Sequence, residues 1–231
     1  MPFGFFDPSM LLLLPALAFA FWAQFKVRST YEKWSKVPSA RGDTGRGVAE
    51  SILNSNALSQ VRVQPVAGTL SDHYDPRNRT VNLSEGIYHS RSVAALSVAA
   101  HECGHAIQHK VGYAPLNLRT AIVPVSGFSS MAAFPLFLVG FIFGNGQLKW
   151  LMDLGIALFG VALLFHVVTL PVEFNASNRA MDHLKRGNYL SPEETRGARE
   201  VLNAAALTYV AATAMAALQI IRLLVLRNSR D

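Results

Sequence analysis

Thr120-Ala-Ile-Val-Pro-Val-Ser-Gly-Phe-Ser-Ser-Met-Ala-Ala-Phe-Pro-Leu-Phe-Leu-Val-Gly-Phe-Ile-Phe-Gly-Asn-Gly-Gln-Leu148 runs for 29 residues without a charged side chain. A helix needs about 20 mostly apolar residues to cross a bilayer, so this stretch decides the class of the protein. Immediately downstream, Leu154 to Val172 adds 19 uncharged residues, and the short turn Gly144 to Gln147 joins the two as a helical hairpin. Further out lie Pro8 to Phe25 with 18 and Val201 to Ile221 with 21. Four spans are expected. Composition agrees: charged residues make up 16% and hydrophobic ones 51%, against about 25% charged in an average soluble protein. An ordinary soluble globule, a disordered chain and a collagen-like chain are excluded. The single cysteine, Cys103, excludes an intrachain disulfide framework. The net charge of +6 would suit a nucleic-acid binder, but the basic residues are scattered between apolar runs too long for such a module. The lipid bilayer, and no nucleic acid, is the expected partner.

The expected organisation is an N-terminal anchor at 1–25, a soluble α+β region at 26–119, the hairpin at 120–172, a soluble helical segment at 173–200, a last span at 201–221 and a basic tail at 222–231. Ala18 and Ala20 resemble a signal-peptide cleavage site, but no Lys or Arg precedes the apolar run and Asp7 does, so an uncleaved anchor is expected. Asn203, Thr208, Tyr209 and Gln219 dilute the last span, whose alternative is a buried amphipathic helix. The two soluble pieces share one side and hold 17 of the 21 Lys and Arg residues. The positive-inside rule then makes that side cytoplasmic, in a multi-pass protein of a bacterial-type cell membrane.

Within 26–119, Pro38 to Gly47 is rich in Gly, Ser and Arg and reads as a mobile loop. Val48 to Leu53 has a short helical pattern, and Val61, Val63 and Val66 alternate with polar residues as in a strand. Asp75-Pro76-Arg77-Asn78 signals a type I turn, after which Thr80 to Leu83 reads as a returning strand. That strand is expected to be a sheet edge holding substrate in extended form. Ser92 can cap a helix running through Lys110.

That helix carries His101-Glu102-Cys103-Gly104-His105. Positions four apart lie one turn apart on one helix face, so the two imidazoles can grip one zinc ion. Glu102 can then take a proton from a water whose pKa zinc has lowered. Gly104 would let another backbone come close. A catalytic zinc takes three protein ligands. A metzincin would need Gly at 108 and His at 111, where this chain has Gln108 and Val111. No Asp or Glu occurs from Ala106 to Met152, and Asp153 sits at the far end of its span. Glu173 sits at the near end, and Pro171 can start a fresh helix before it. Glu173, Ala176, Ser177 and Ala180 would share a face of that helix. His109 is the alternative third ligand.

His101-Glu102-x-Gly104-His105-x-x-Gln108, followed by Pro171-Val172-Glu173-Phe174-Asn175-Ala176-Ser177-x-Arg179-Ala180, resembles the YugP-like membrane zinc metallopeptidases. Asp75 to Asn82 and Val201 to Tyr209 extend the resemblance over nearly the whole chain. More distantly the chain is similar to the HtpX and CAAX-prenyl membrane proteases, whose third ligand sits in Glu-x-x-Ala-Asp; here Ser177 stands in the Asp place. The resemblance implies a gluzincin endopeptidase with a zincin-like α+β unit, acting on proteins or peptides, membrane proteins included.

The expected fold is therefore a mainly α membrane protein of about four transmembrane helices with a small α+β catalytic unit. Zinc is the expected cofactor, with His101, His105 and Glu173 as ligands and Glu102 as general base. His183, Arg179 and Tyr209 are candidate oxyanion stabilisers, and the sequence does not choose among them. Cys103 is expected to be a packed small side chain, His73 and His89 surface or turn residues, and His166 a structural histidine within a span. Two rivals remain. One is a site-two-type intramembrane protease, of which Met152-Asp153-Leu154-Gly155 is a faint echo. The other is a non-enzymatic scaffold with a structural or vestigial zinc site.

Overall fold

The computed structural model describes residues 8–144 and 148–229. Asp7, most of the Gly144 to Gln147 turn and Arg230 lie outside the described residues. Among the described residues, a 3-10 helix at Pro8–Leu13 is followed by seven α-helices: α1 (Leu14–Ser35), α2 (Gly45–Ser55), α3 (Glu85–Tyr88), α4 (Val93–Lys110), α5 (Ala114–Phe143), α6 (Trp150–Arg186) and α7 (Pro192–Asn228). Three strands, β1 (Arg62–Val66), β2 (His73–Asp75) and β3 (Thr80–Ser84), complete them. The molecule is mainly helical with a small α+β part. Four helical stretches, Pro8–Ser35, α5, α6 and α7, are long and apolar enough to cross a membrane.

The chain divides into two units. One comprises Met1–Ala23, Leu118–Leu170 and Thr208–Asp231; the other comprises Gln24–Asn117 and Pro171–Leu207. In the first, small residues let α5 and α6 approach each other. A methyl group at Gly155 would fall 2.8 Å from the Ala133 carbonyl oxygen and from Phe137. Arg227 donates to Asp153 at 2.7 Å, and the buried Arg222 to Ser9 at 3.2 Å.

The second unit holds the larger core, with Val48, Ile52, Leu53, Val81, Leu83, Ile87, Leu96, Cys103, Ile107 and Leu184 among its buried members. Its central element is α4, whose alanines 94, 95, 99, 100 and 106 are buried. So many small side chains let neighbours close on the helix on most sides. Ser92 caps it, accepting from the Ala95 amide at 3.2 Å. Thr44 caps α2 in the same way, accepting from Gly47. At the start of α7, Ser191 and Glu194 exchange hydrogen bonds with each other's backbone amides, a capping box.

Three expectations change. Thr80 to Leu83 is not a sheet edge: the strand order is β1-β3-β2, with β1 parallel and β2 antiparallel to β3. All five residues of β3 are buried, so both its ladders are used and the free edges belong to β1 and β2. Pro171 starts no new helix, for α6 runs unbroken from Trp150 to Arg186 with Pro171 inside it. The segment Pro38 to Gly47 is pinned rather than loose. Ser39 donates to Arg91, Ala40 donates to the buried Glu194 carboxylate, and Pro38 bridges to Ser92. The Asp75 turn forms as expected, with the Asp75 carboxylate accepting from the Arg77 and Asn78 amides.

Candidate metal centre

The site lies wholly within the second unit. From α4 come His101 and His105, one turn apart, their ring centroids 4.8 Å from each other. From α6 comes Glu173, only 2% exposed. Its Oε2 lies 3.2 Å from His101 Nε2 and 3.6 Å from His105 Nε2. One ligand atom from each of the three lies within 4.8 Å of the others. Ligands at about 2.0–2.1 Å from a tetrahedral centre stand about 3.3–3.4 Å apart, so the carboxylate-to-imidazole spacing and the donor set both fit zinc. Gly104 makes this approach possible, because the Ala176 backbone occupies the space that a side chain there would need.

The outer partners fix the rings. Gln108 is fully buried, and its Nε2 donates to the Val172 carbonyl at 2.8 Å and to Asn175 Oδ1 at 3.0 Å. A backbone carbonyl only accepts, so the amide orientation is determined. Gln108 Oε1 then faces His105 Nδ1 at 3.0 Å. An amide oxygen also only accepts, so His105 Nδ1 carries a proton and Nε2 is the nitrogen that faces Glu173. Arg179 extends the chain by donating to Asn175 Oδ1 at 2.8 Å. On His101, Nδ1 meets Ser177 Oγ at 3.1 Å, so Ser177 serves that ring from α6. Such partners orient metal ligands and fix their tautomers.

Glu102 is 8% exposed and makes no hydrogen bond among the described residues. Burial lowers the pKa of His105, but Glu173 and Glu102 outweigh burial and hold it above its ordinary value. Burial pushes Glu173 up, but its contacts to His101 and His105 prevail and hold it far below the usual carboxylate range. Cys103 points into the core with its thiol on the Ala49 carbonyl, and burial raises its pKa strongly.

The other candidates are dispersed. His109 is no part of the cluster; its Nδ1 meets the Tyr74 hydroxyl at 2.8 Å. Arg179 is engaged with Asn175. His183 is half-buried, its pKa lowered by burial and by Arg186 and Arg179. Tyr209 and His166 belong to the other unit, as does Asp153 on Arg227. Sequence reasoning missed the roles of Gln108 and Asn175. The available signal was spacing: Gln108 stands three residues after His105 and seven after His101, on the flank that meets α6.

The family described as "Putative neutral zinc metallopeptidase" matches residues 9–228 of the chain. Over 223 residues the chain is 48% identical to a Bacillus subtilis (strain 168) protein named "Putative membrane protease YugP", a match covering 96% of this chain and 98% of the relative. No solved structure matches.

Proposed function

This chain belongs to the neutral zinc metallopeptidase family, and from that premise we propose that it is a membrane-embedded zinc endopeptidase. The observation that carries the reading is the convergence of His101, His105 and Glu173, with Glu102 next to His101 on the same helix. His101 and His105 offer Nε2 to the ion, held by Ser177 and Gln108. Glu173 adds an anionic oxygen and offsets the ion's charge in a buried setting. Bound zinc polarises a substrate carbonyl and lowers the pKa of a coordinated water to about 7. Glu102 would serve as the base that takes a proton from the attacking water and as the acid that returns it to the departing amine. With only three ligands among the described residues, the set matches an open catalytic site rather than a closed structural one. The site-two reading would need Asp153 as a ligand, and that carboxylate is taken by Arg227.

The substrate is a protein or peptide, membrane proteins included, bound as an extended strand on the free edge of β2. Four helices long and apolar enough to cross a membrane support a multi-pass protein of the cell membrane, and the distribution of Lys and Arg supports a site on the cytoplasmic side. A cysteine replacing the exposed Arg77 should resist an impermeant thiol reagent in intact cells and react after lysis; labelling in intact cells inverts the topology. The reading as a whole is tested by zinc content and peptide cleavage of detergent-purified protein. One zinc per chain and cleavage that His105→Ala abolishes are expected. A zinc-supplemented wild type that binds no zinc contradicts the reading.

A further inference from the structure

We propose that His109, oriented by Tyr74, is a substrate-positioning residue that donates a hydrogen bond from its outward ring nitrogen to a backbone carbonyl of the extended peptide. The assignment rests on the peptidase reading above and deepens it.

The placement follows from helix geometry. Glu102, His105 and His109 are spaced i, i+3 and i+7 on α4, which is one stripe of a helix. Gly104 and Gln108 lie on the other flank, where Ala176 and Val172 of α6 pack against them. That flank is closed. The stripe bearing the proposed base runs instead toward β2, because Tyr74 of β2 reaches His109 at 2.8 Å. Among the described residues β2 pairs only with β3, so its other edge has no strand partner. A peptide added to that edge passes over the stripe from Glu102 to His109.

The chemistry of the pair fits the role. Tyr74 is half-buried, and burial raises its hydroxyl pKa, with Asp75 adding to the rise and Arg79 opposing it. The phenol therefore keeps its proton and can donate to His109 Nδ1. With Nδ1 accepting from the phenol, the ring's own proton sits on Nε2, as a donor. That nitrogen has no partner among the described residues, and His109 is exposed. One turn of helix is about 5.4 Å, and a strand advances about 3.3 Å per residue. His109 therefore stands one to two peptide units from a scissile bond poised at His105, which suits a backbone anchor rather than the reacting carbonyl.

The test compares His109→Ala, His109→Gln and Tyr74→Phe with Glu102→Gln. Each is measured for zinc content and for kcat/KM on a ten-residue peptide and on versions shortened from either end. Zinc content should match wild type throughout. His109→Ala should lose about tenfold in kcat/KM on the full peptide, mainly through KM. The loss should disappear for peptides truncated on one side of the scissile bond. Tyr74→Phe should lose less, and His109→Gln, which keeps a donor, should recover part of the loss. Unchanged kinetics, or an equal loss at every peptide length, overturns the proposal; the second result marks Tyr74–His109 as a structural tie. An active Glu102→Gln overturns the peptidase reading instead. If His109→Ala does not fold, the Tyr74→Phe and His109→Gln comparison decides in the same way.

Discussion

Gly104 on α4 lies directly against the backbone of Ala176 on α6: a methyl group at Gly104 would come within 2.5 Å of the Ala176 carbonyl oxygen and 3.1 Å of its Cα. Glu173 is three residues before Ala176 on the same helix, so the distance between the two backbones sets the distance from carboxylate to imidazoles. Overpacking at such a contact costs about 1–3 kcal/mol. Gly104→Ala should therefore push α6 outward and weaken zinc binding at least tenfold, as read by titration against a chelator. Wild-type affinity in a folded Gly104→Ala protein would show that the close approach is incidental.

Gln108 joins His105 to α6 through three hydrogen bonds in a fully buried position. Gln108→Ala strands the His105 Nδ1 proton and the Val172 carbonyl, and it should cost about 10- to 100-fold in zinc affinity. Ser177→Ala should cost less, because the His101 side chain keeps 15% exposure and water can replace the hydroxyl. Equal effects of the two substitutions would count against this ranking.

Glu173→Gln removes the anionic donor, so zinc content and cleavage should fall together. Asp153→Asn breaks a solvent-screened pair with Arg227, of a kind that contributes little, and should leave both near wild type. A site-two protease requires the reverse order. Zinc analysis and peptide cleavage of the two proteins side by side separate the readings.

Proton and metal compete for His105. In the zinc-free chain its pKa is held above the ordinary 6.5 and that of Glu173 well below the ordinary 4.5. The stability contributed by His105 is present in full below pH 6.5 and is lost as pH rises through its raised value. The contribution of Glu173 is present above pH 4.5 and is lost as pH falls toward its lowered one. The pair thus stabilises zinc-free protein most between those two ordinary values. Zinc must displace the His105 proton, so the gap in Tm between zinc-loaded and chelated protein should widen as pH rises past the raised His105 value. A gap independent of pH would contradict this coupling.

Local chemistry made much of this legible in the sequence. The Ser92 cap and the Asp75 turn act through atoms within a few positions, and both form as expected. What was illegible depends on partners distant in sequence. The three residues of β2, His73 to Asp75, are too few to display alternation, and β2 exists because β3 pairs with it. The same pairing makes β3 central, which Thr80 to Leu83 alone could not reveal. Pro171 lacks a backbone donor and suggests a helix start, yet long apolar helices tolerate proline where neighbours satisfy the freed groups. The network from Arg179 through Asn175 and Gln108 to His105 needed the α4–α6 contact to become visible.

Glu102→Gln is the most direct measurement of the central claim. The substitution keeps the size of the side chain and touches no proposed ligand, but removes the carboxylate that would accept the proton. Zinc stoichiometry should stay at the wild-type value while peptide cleavage falls by roughly 10² to 10⁴. A zinc-loaded Glu102→Gln protein that cleaves at the wild-type rate would contradict the account.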